Sequence, residues 1–568
     1  MMVKVLVSLL ICFFIPVFVI GQPEGEAMHL PGTELMSKAD VEGIRSRMIE
    51  GMIAYFKREL SVIPELRTEY WNYDFTSRES YDLSIQPNRD RFKHITGITD
   101  QRLGCEALIL HETSSQRSLV TGTPGYRVYS VSWPVLEGIS GTGLWVEPVA
   151  DPIAQVIVIP DADHSPEMIL GLAPGLSYEY QYARRFAEIG CRVLIPVIID
   201  RRCIWSGKPG IAMTNQPHRE YIYRRAYELG RHIIGYEVQK VLGAVDWFES
   251  DRPDLPVLVS GYGEGGLLAL YSGAVDTRID GTLVSGYFNS REGLWQEPVY
   301  RNVWGLLKEF GDAEIAGMVA PRLLVIEACK GPESDGPPKP PEGHRDVAAP
   351  GSLKTPATVS VRSEAERAGR IYSDLGVPEK FQFVESALGF GSPASAEAVD
   401  RLLRGAGVER ENLVEGKRYQ MADSRVGFDS DLRMKGEVNE LMFHMDQLIA
   451  GSSEKRRRFW KEADATSPES WELTTDYYRD YFWEELMGRM PDPTRSFNAR
   501  SRKRYETGKW TGYWVELDVW EGITAGGILL VPKGINDGEQ RPVVVFQHGL
   551  SGLPEPLVDP EIESVYYS

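Results

Sequence analysis

The turn from Gly261 to Gly265 has the spacing of a catalytic elbow but lacks the residue that would react. In the pattern Gly-x-Ser-x-Gly, a sharp turn between a strand and a helix exposes a serine hydroxyl, which attacks the carbonyl carbon of an ester or amide. Here Gly261 and Gly265 occupy the outer positions, and the central residue is Gly263. Because glycine has no side chain, the sequence predicts the backbone of a nucleophile elbow without serine chemistry.

The base that such a serine needs is also replaced. In this class of site the histidine follows the nucleophile and the acid along the chain. We expect it in the turn after the last strand, where Ser386-Ala-Leu-Gly-Phe390 places Leu388. The candidates for the acid position are Glu327, Glu333 and Asp335. Without a base to orient, all three are expected to be surface carboxylates.

The backbone amides that stabilise a developing oxyanion form the third part of such a site, and we expect them in a His-Gly turn after an early strand. At the expected position, after the strand Val156–Ile159, the sequence is Pro160-Asp-Ala-Asp163, whose carboxylates would repel negative charge. A later segment keeps His548-Gly549. We therefore assign no catalytic residue, treat Gly263 and Leu388 as degenerate positions, and interpret His548-Gly549 as a residual oxyanion motif.

Strands and helices alternate on both sides of the elbow. Pro256–Ser260 has the pattern of a buried strand, and Leu267–Tyr271 that of a helix. Such alternation over about 250 residues predicts a doubly wound, mostly parallel sheet covered on both faces. The other predicted elements are a helix at 178–189, a long helix from about 219 to 250, strands at 192–199, 281–284, 322–327 and 381–384, and a long exposed loop at 331–358.

Comparison of the chain with itself shows an internal repeat. Glu137–Pro148 parallels Glu521–Pro532, with the glycines at 138 and 522 lying 384 positions apart (522 − 138). Further matches, at offsets of 387 to 390, pair Tyr70-Trp71 with Phe459-Trp460, Thr76–Tyr81 with Thr466–Trp471, and Val156–Ile159 with Val543–Phe546. Four segments in one order at a nearly constant offset indicate a tandem duplication of a large unit.

The repeat divides the chain into five predicted segments. They are a signal peptide (1–21), a helical N-terminal region (30–125), a degenerate domain (126–410), a helical connector (411–508) and a truncated second domain (509–568). The second domain is predicted to be truncated because two or three strands cannot bury a sheet's worth of apolar surface. The helical N-terminal region is predicted from an amphipathic stripe of Val41, Ile44, Met48, Met52 and Tyr55.

Three stretches carry a resemblance to a known family: Phe186–Gly190 before a strand, Gly235–Lys240 with Val245–Phe248, and the elbow itself. They resemble the dienelactone hydrolase and acetyl xylan esterase group of α/β-hydrolases. The chain is most similar to the large secreted tandem hydrolase-like proteins of planctomycete-type bacteria, in which a degenerate first domain precedes a catalytic one.

The resemblance implies an α/β-hydrolase fold over about 126–403 and the start of a second copy from 513. It implies a carboxylic ester hydrolase by family, with no cofactor and no metal. Gly263 and Leu388 depart from the family pattern, which removes that activity from the first domain. The alternative interpretation is a non-catalytic, extracytoplasmic binding or scaffold module for an acetylated carbohydrate or small ester.

Charge and the N-terminus indicate the compartment and the partners. The net charge is -19, from 62 basic and 81 acidic residues, which disfavours nucleic acid and anionic membrane surfaces. Lys4 followed by the apolar run Val5–Ile20 predicts a signal peptide cleaved near Gly21, hence a secreted or periplasmic protein. The alternative is an uncleaved membrane anchor.

Several other residues have chemistry but a simpler structural interpretation. Asp161, Asp163 and His164 are metal-ligand types, although a solvated loop is favoured because nothing else converges on them. Tyr262 and Glu264 either line the cleft or pack at the turn. Arg201 and Arg202 could bind an anion, but ordinary loop ion pairs are favoured. His218 and His232 are expected to be structural, and Cys191 and Cys329 to be core residues.

Overall fold

The computed structural model describes residues 28–112, 117–206, 215–340, 342–408, 418–536, 538–549, 552–559 and 561–562. The predicted signal peptide at 1–21 lies outside these residues. The chain forms two compact units, a smaller one of Met1–Val62 with Glu462–Ser568 and a larger one of Ile63–Lys461. Within the described ranges, no helix combines the length and apolar character needed to cross a membrane.

Fourteen strands are described. They are β1 (Glu34–Leu35), β2 (Ile109–Leu110), β3 (Leu119–Gly122), β4 (Tyr126–Leu136), β5 (Ile139–Pro148), β6 (Gln155–Ile159), β7 (Arg192–Pro196), β8 (Val257–Tyr262), β9 (Gly281–Ser285), β10 (Leu323–Ala328), β11 (Phe381–Glu385), β12 (Arg500–Glu506), β13 (Trp510–Trp520) and β14 (Ile523–Pro532).

The α-helices are α1 (Lys38–Leu66), α2 (Arg78–Ile95), α3 (Pro166–Leu170), α4 (Tyr182–Ile189), α5 (His218–Tyr227), α6 (Ile233–Asp251), α7 (Glu264–Val275), α8 (Leu306–Glu309), α9 (Asp312–Val319), α10 (Thr358–Asp374), α11 (Ala396–Gly405), α12 (Ser430–Phe459), α13 (Pro468–Thr474) and α14 (Asp476–Tyr481).

The larger unit is built on one mixed sheet of ten strands, in the order β11-β10-β9-β8-β6-β7-β5-β4-β2, with β3 also pairing with β4. The six strands from β6 to β11 are parallel, whereas β5 is antiparallel to β7 and β4. The doubly wound, mostly parallel sheet predicted from the sequence is therefore present.

Each face of this sheet has its own apolar core. Along β6, Val156 and Val158 belong to one buried cluster, and Ile157 and Ile159 to the other. This alternation follows from the two-residue period of a strand. Because both faces are covered by helices, β6 reads as a continuous apolar run rather than an alternating one.

Two predictions for the larger unit are wrong in detail. The long helix expected over 219–250 is two helices, α5 and α6, interrupted where Gly230 has a φ of +65°. His232 caps the second helix by accepting the Ile234 amide at 3.1 Å. The loop at 331–358, expected to be exposed, is partly buried, since Ser334 bridges Leu353 and the Leu353 side chain is in the core.

The smaller unit contains a four-stranded sheet in the order β1-β12-β13-β14. A buried cluster of Met36, Ile44 and Trp514 joins α1 to this sheet. The strand predicted at Val543–Phe546 is absent from this described segment, and Val544 is 86% exposed. The predicted connector over 411–508 is not only helical, because it includes β12, and α12 packs into the core of the larger unit.

The repeated sequences have closely similar local hydrogen bonds. Ser77 Oγ accepts the Ser80 amide at 3.0 Å, and 390 positions later Ser467 Oγ accepts the Ser470 amide at 3.1 Å. At the starts of β4 and β13, a threonine hydroxyl accepts the first backbone amide of the strand. Thr123 accepts the Tyr126 amide at 2.9 Å, and Thr507 accepts the Trp510 amide at 3.0 Å. Both hairpins turn at a glycine with a φ of +76°, at 138 and 522.

Candidate functional site

The elbow lies at the carboxyl end of β8, between β6 and β9 in the sheet. Gly263 has φ +57° and ψ −115°, and α7 starts at the next residue, Glu264. The approach within the turn is close: a Cβ added to Gly261 would lie 1.9 Å from the carbonyl oxygen of Gly265. Glycine is therefore required at 261 by contact and favoured at 263 by conformation. The mixed sheet, its flanking helices and this elbow fit an α/β-hydrolase fold.

The space above Gly263 is already occupied. A Cβ added there would lie 2.4 Å from Asp161 Oδ1 and 2.8 Å from Pro332 Cγ. Asp161 follows β6, and Pro332 follows β10, so residues from the ends of two different strands close over the turn. A serine side chain at 263 would need both neighbours to move.

The carboxylate of Asp161 also occupies the oxyanion position. Its Oδ1 accepts the backbone N–H of Glu264 at 2.9 Å. Glu264 is the residue directly after the nucleophile position, and the amide of that residue is an oxyanion donor in active hydrolases. An anion of the protein thus takes the hydrogen bond that a reaction intermediate would need.

Arg201 holds this carboxylate in place. Its guanidinium donates to Asp161 Oδ2 at 2.6 Å and to Oδ1 at 3.0 Å, and further to Asp163 at 2.9 Å and Glu264 at 3.0 Å. Burial alone would raise the pKa of Asp161, but Arg201 and the Glu264 amide hold that pKa well below its usual range. Arg201 forms the predicted loop ion pairs, but they are not ordinary surface pairs, because its side chain is only 10% exposed and bridges three acids.

Glu264 is the second anion of the cluster and lies fully buried. Its carboxylate is 3.0 Å from both Arg201 and Arg301 and 3.5 Å from Arg219. Burial alone would raise the pKa of Glu264, but Arg301, Arg219 and Arg201 together lower it to about 2. The carboxylate therefore stays ionised in the folded protein, with three guanidinium groups around it.

Glu327 and Leu388 stand at the predicted acid and base positions. Glu327, predicted to be a surface carboxylate, is buried and accepts hydrogen bonds from the hydroxyls of Ser285 and Ser386 at 2.6 Å and from the Ser395 amide at 2.9 Å. Leu388 lies in the predicted turn after β11, but its side chain is 77% exposed. At these positions the structure shows a carboxylate satisfied by serines and an exposed apolar side chain.

The predicted cleft is mostly filled. Of the two alternatives for Tyr262 and Glu264, lining the cleft or packing at the turn, the structure shows packing, since both residues are buried. A cavity of about 200 Å³ remains beside the cluster. It is lined by Asp163, Arg201, Tyr300 and Glu220 together with prolines and glycines of 336–351.

The remaining candidates have structural partners. His218 Nδ1 pairs with Asp200 at 2.6 Å, and its Nε2 accepts the Trp205 amide at 2.7 Å. His232 Nε2 donates to the Asn302 carbonyl at 2.9 Å. Within the described ranges no group of three or more His, Cys, Asp or Glu residues is arranged to hold a metal ion. His548 and Gly549 belong to the smaller unit, where both backbone and side chain are solvent-accessible.

Comparison with known proteins gives remote likenesses only. No family model matches the chain, and no curated protein matches it. A Bacteroides fragilis protein described as an acetyl xylan esterase is 15% identical, with 62% of this chain and 91% of that chain covered and a TM-score of 0.40. A methylesterase has 15% identity, coverages of 71% and 81% and a TM-score of 0.42. A glucuronoyl esterase from Solibacter usitatus has 12% identity, coverages of 59% and 94% and a TM-score of 0.38.

The buried charges predict acid sensitivity of the larger unit. Burial lowers the pKa of His232 to about 4 from 6.5, so stability is lost as the pH falls from 6.5 towards 4 because the unfolded chain binds the proton first. For Glu264 the pKa falls from 4.5 to about 2, so a further loss follows between those values. Burial raises the pKa of Asp312 to about 7, so this group adds stability as the pH falls from 7 towards 3.8 and opposes the effect of His232. Urea midpoints measured from pH 7 to pH 3 should therefore fall most steeply below pH 3.8.

A neutral replacement of Glu264 separates its contribution to the pH dependence from that of His232. Glu264→Gln should destabilise the larger unit at pH 7 by about 3–5 kcal/mol, because it leaves three buried arginines with less compensating charge. Below pH 4.5 the urea midpoint of Glu264→Gln should then change less with pH than that of the unaltered protein. Equal slopes in the two proteins would contradict the assigned role of Glu264.

The turn at the base position predicts a stabilising substitution. Ala387 has a φ of +46° and is exposed, and a left-handed conformation is unfavourable for a residue with a Cβ. Ala387→Gly should therefore raise the free energy of unfolding by about 0.5–1 kcal/mol. The control is Ala450→Gly, at an exposed position inside α12, which should lower it by about 1 kcal/mol. A loss of stability in Ala387→Gly would contradict the strained turn.

Proposed function

We propose that the larger unit is a non-catalytic member of the α/β-hydrolase superfamily, related to carboxylesterases, whose former active site is now a structural ionic cluster. The observation that carries this proposal is the hydrogen bond from the Glu264 amide to the Asp161 carboxylate. That bond places a permanent negative charge where a hydrolase binds its oxyanion.

The nucleophile, the base and the oxyanion donor of ester hydrolysis are each affected. Gly263 offers no nucleophile, and Leu388 offers no base. Removal of a single oxyanion donor already lowers kcat by roughly 10²–10³-fold in hydrolases of this chemistry. Here the donor is engaged by an anion that Arg201 holds, so restoring a serine alone would not restore the transition-state stabilisation.

The second candidate function is binding of an acetylated carbohydrate or small ester outside the cytoplasm. It is favoured by the cavity beside Arg201 and Tyr300. The volume of about 200 Å³ lies below the roughly 300–1,000 Å³ typical of small-molecule sites. The first proposal is therefore preferred, and the ligand, if one binds, is limited to a group the size of an acetyl ester.

We further propose that the chain arose by tandem duplication and that residues 509–568 belong to a second hydrolase-like copy. The matching serine caps at Ser77 and Ser467 and the matching hairpin turns support this proposal. In the second copy His548-Gly549 stands where Asp161 stands in the first. We also propose that the protein is secreted through its predicted signal peptide.

The activity prediction uses 4-nitrophenyl acetate as the substrate. The purified protein should release nitrophenol at the rate of buffer, because no nucleophile is present at the elbow. Gly263→Ser and Gly263→Ser/Leu388→His should remain at that rate, since Asp161 still fills the site. Gly263→Ser should also lower the urea midpoint, as its Cβ would overlap Asp161.

The control is the same protein treated with a serine-reactive inhibitor, which should neither label it nor change the rate. Hydrolysis above the buffer rate that persists through repurification and disappears in Asp161→Asn would overturn the proposal. Saturable binding of acetylated xylo-oligosaccharide, lost in Arg201→Met, would instead favour the binding module.

A further inference from the structure

Two long helices occupy equivalent places in the repeated sequence. The first, α1, precedes Tyr70-Trp71, and the second, α12, leads directly into the matching Phe459-Trp460. Their inward-facing residues coincide at an offset of 390 positions (434 − 44). The matched pairs are Ile44 with Met434, Met48 with Val438, and Tyr55 with Met445. By this alignment α1 belongs to the first copy and α12 to the second.

In the smaller unit, α1 packs on the hairpin of the second copy. A Cβ added to Gly526 in β14 would lie only 2.7 Å from Ile44 Cδ1, so glycine at this position makes room for the helix. Arg47 donates to both carboxylate oxygens of Glu516 in β13 at 3.2 Å. Arg58 donates to the carbonyl of Glu521 in the hairpin turn at 2.6 Å.

In the larger unit, α12 packs on the hairpin of the first copy. The carboxylate of Glu437, on α12, is buried and accepts hydrogen bonds from Thr142 in β5 and from Lys240 in α6. The backbone N–H of Ser140 in β5 donates to Glu440 at 2.8 Å. His444 Nδ1 lies 3.3 Å from the carbonyl of Glu137, the residue equivalent to Glu521.

From these contacts we infer that the two copies have exchanged their long helices, so that each hairpin presents a docking surface for the helix of the other copy. The inference rests on the duplication proposed above. Both helices cover the corresponding hairpin face, and each supplies a side-chain donor to the carbonyl of the same turn position. The partner that each surface selects is an amphipathic helix of the neighbouring copy.

Charge specifies the exchanged pairing. Arg47 and Glu437 are equivalent positions, 390 apart, with opposite charges. Arg47 faces Glu516, and Glu437 faces Lys240. Returning each helix to its own hairpin would place Arg47 beside the buried Lys240, and Glu437 beside Glu516. Like charges would then meet in both places, which disfavours the unexchanged arrangement. The repulsion would be larger at the buried Lys240, because Glu516 is also paired with Arg500 at 3.3 Å.

The test is amide hydrogen exchange measured by mass spectrometry on the full chain. The variant Arg47→Glu, in the helix of the first copy, should accelerate exchange at least tenfold in the hairpin at 510–532 and leave the hairpin at 126–148 unchanged. Glu437→Arg should do the reverse. The milder variants Arg47→Met and Glu437→Gln should give smaller changes at the same places, which keeps the test informative if a charge reversal prevents folding.

Acceleration at 126–148 in the Arg47 variants, or at 510–532 in the Glu437 variants, would show unexchanged helices and overturn the inference. No change in either hairpin for all four variants would also overturn it. The readout is independent of ester hydrolysis, so a failure here and a failure of the non-catalytic proposal are separate results.

Discussion

The carboxylate of Asp161, held between Arg201 and the Glu264 amide, organises the centre of the larger unit. It joins the ends of β6, β7 and β8, which are neighbours in the sheet. Glu264 extends the same cluster to Arg219 and Arg301, and hence to α5 and the segment before α8. Removing one member of such a buried cluster leaves unpaired charge in a low-dielectric interior, which costs more than the net contribution of the pair itself. The cluster therefore constrains the substitutions that this region tolerates.

A hydrolase elbow normally stores backbone strain in order to expose a reactive side chain. Here the turn at Gly263 keeps the corresponding conformation with a residue for which that conformation costs little. Asp161 and Pro332 fill the space into which a side chain at position 263 would project. The region beside the turn is packed, and the carboxylates of Asp161 and Glu264 in it are paired with arginine side chains.

The sequence predicted the architecture because apolar runs such as β6 and glycines such as Gly263 have few structural alternatives. It predicted Gly263 and Leu388 to be degenerate positions by comparison with a known order of functional groups. It did not predict that Arg201 and Glu264 are buried partners, since ion pairs between distant segments leave no periodic signal. The available clue was position: Asp161, Arg201 and Glu264 each follow a strand whose carboxyl end lies at the same edge of the sheet. The single helix predicted over 219–250 is wrong because the chain turns at Gly230, which adopts a left-handed conformation between α5 and α6.

The placement of α1 has a consequence for the order of events during synthesis. Ile44 leaves the ribosome 482 residues before Gly526 (526 − 44), the residue on which it packs. At roughly 5–20 residues per second, the helix spends about 25–100 s without its partner strand. Its apolar stripe must stay protected by solvent-facing charges, or by a chaperone, through the whole folding of the ten-stranded sheet. Of the helices in the described residues, the first to be made is therefore among the last to reach its final environment.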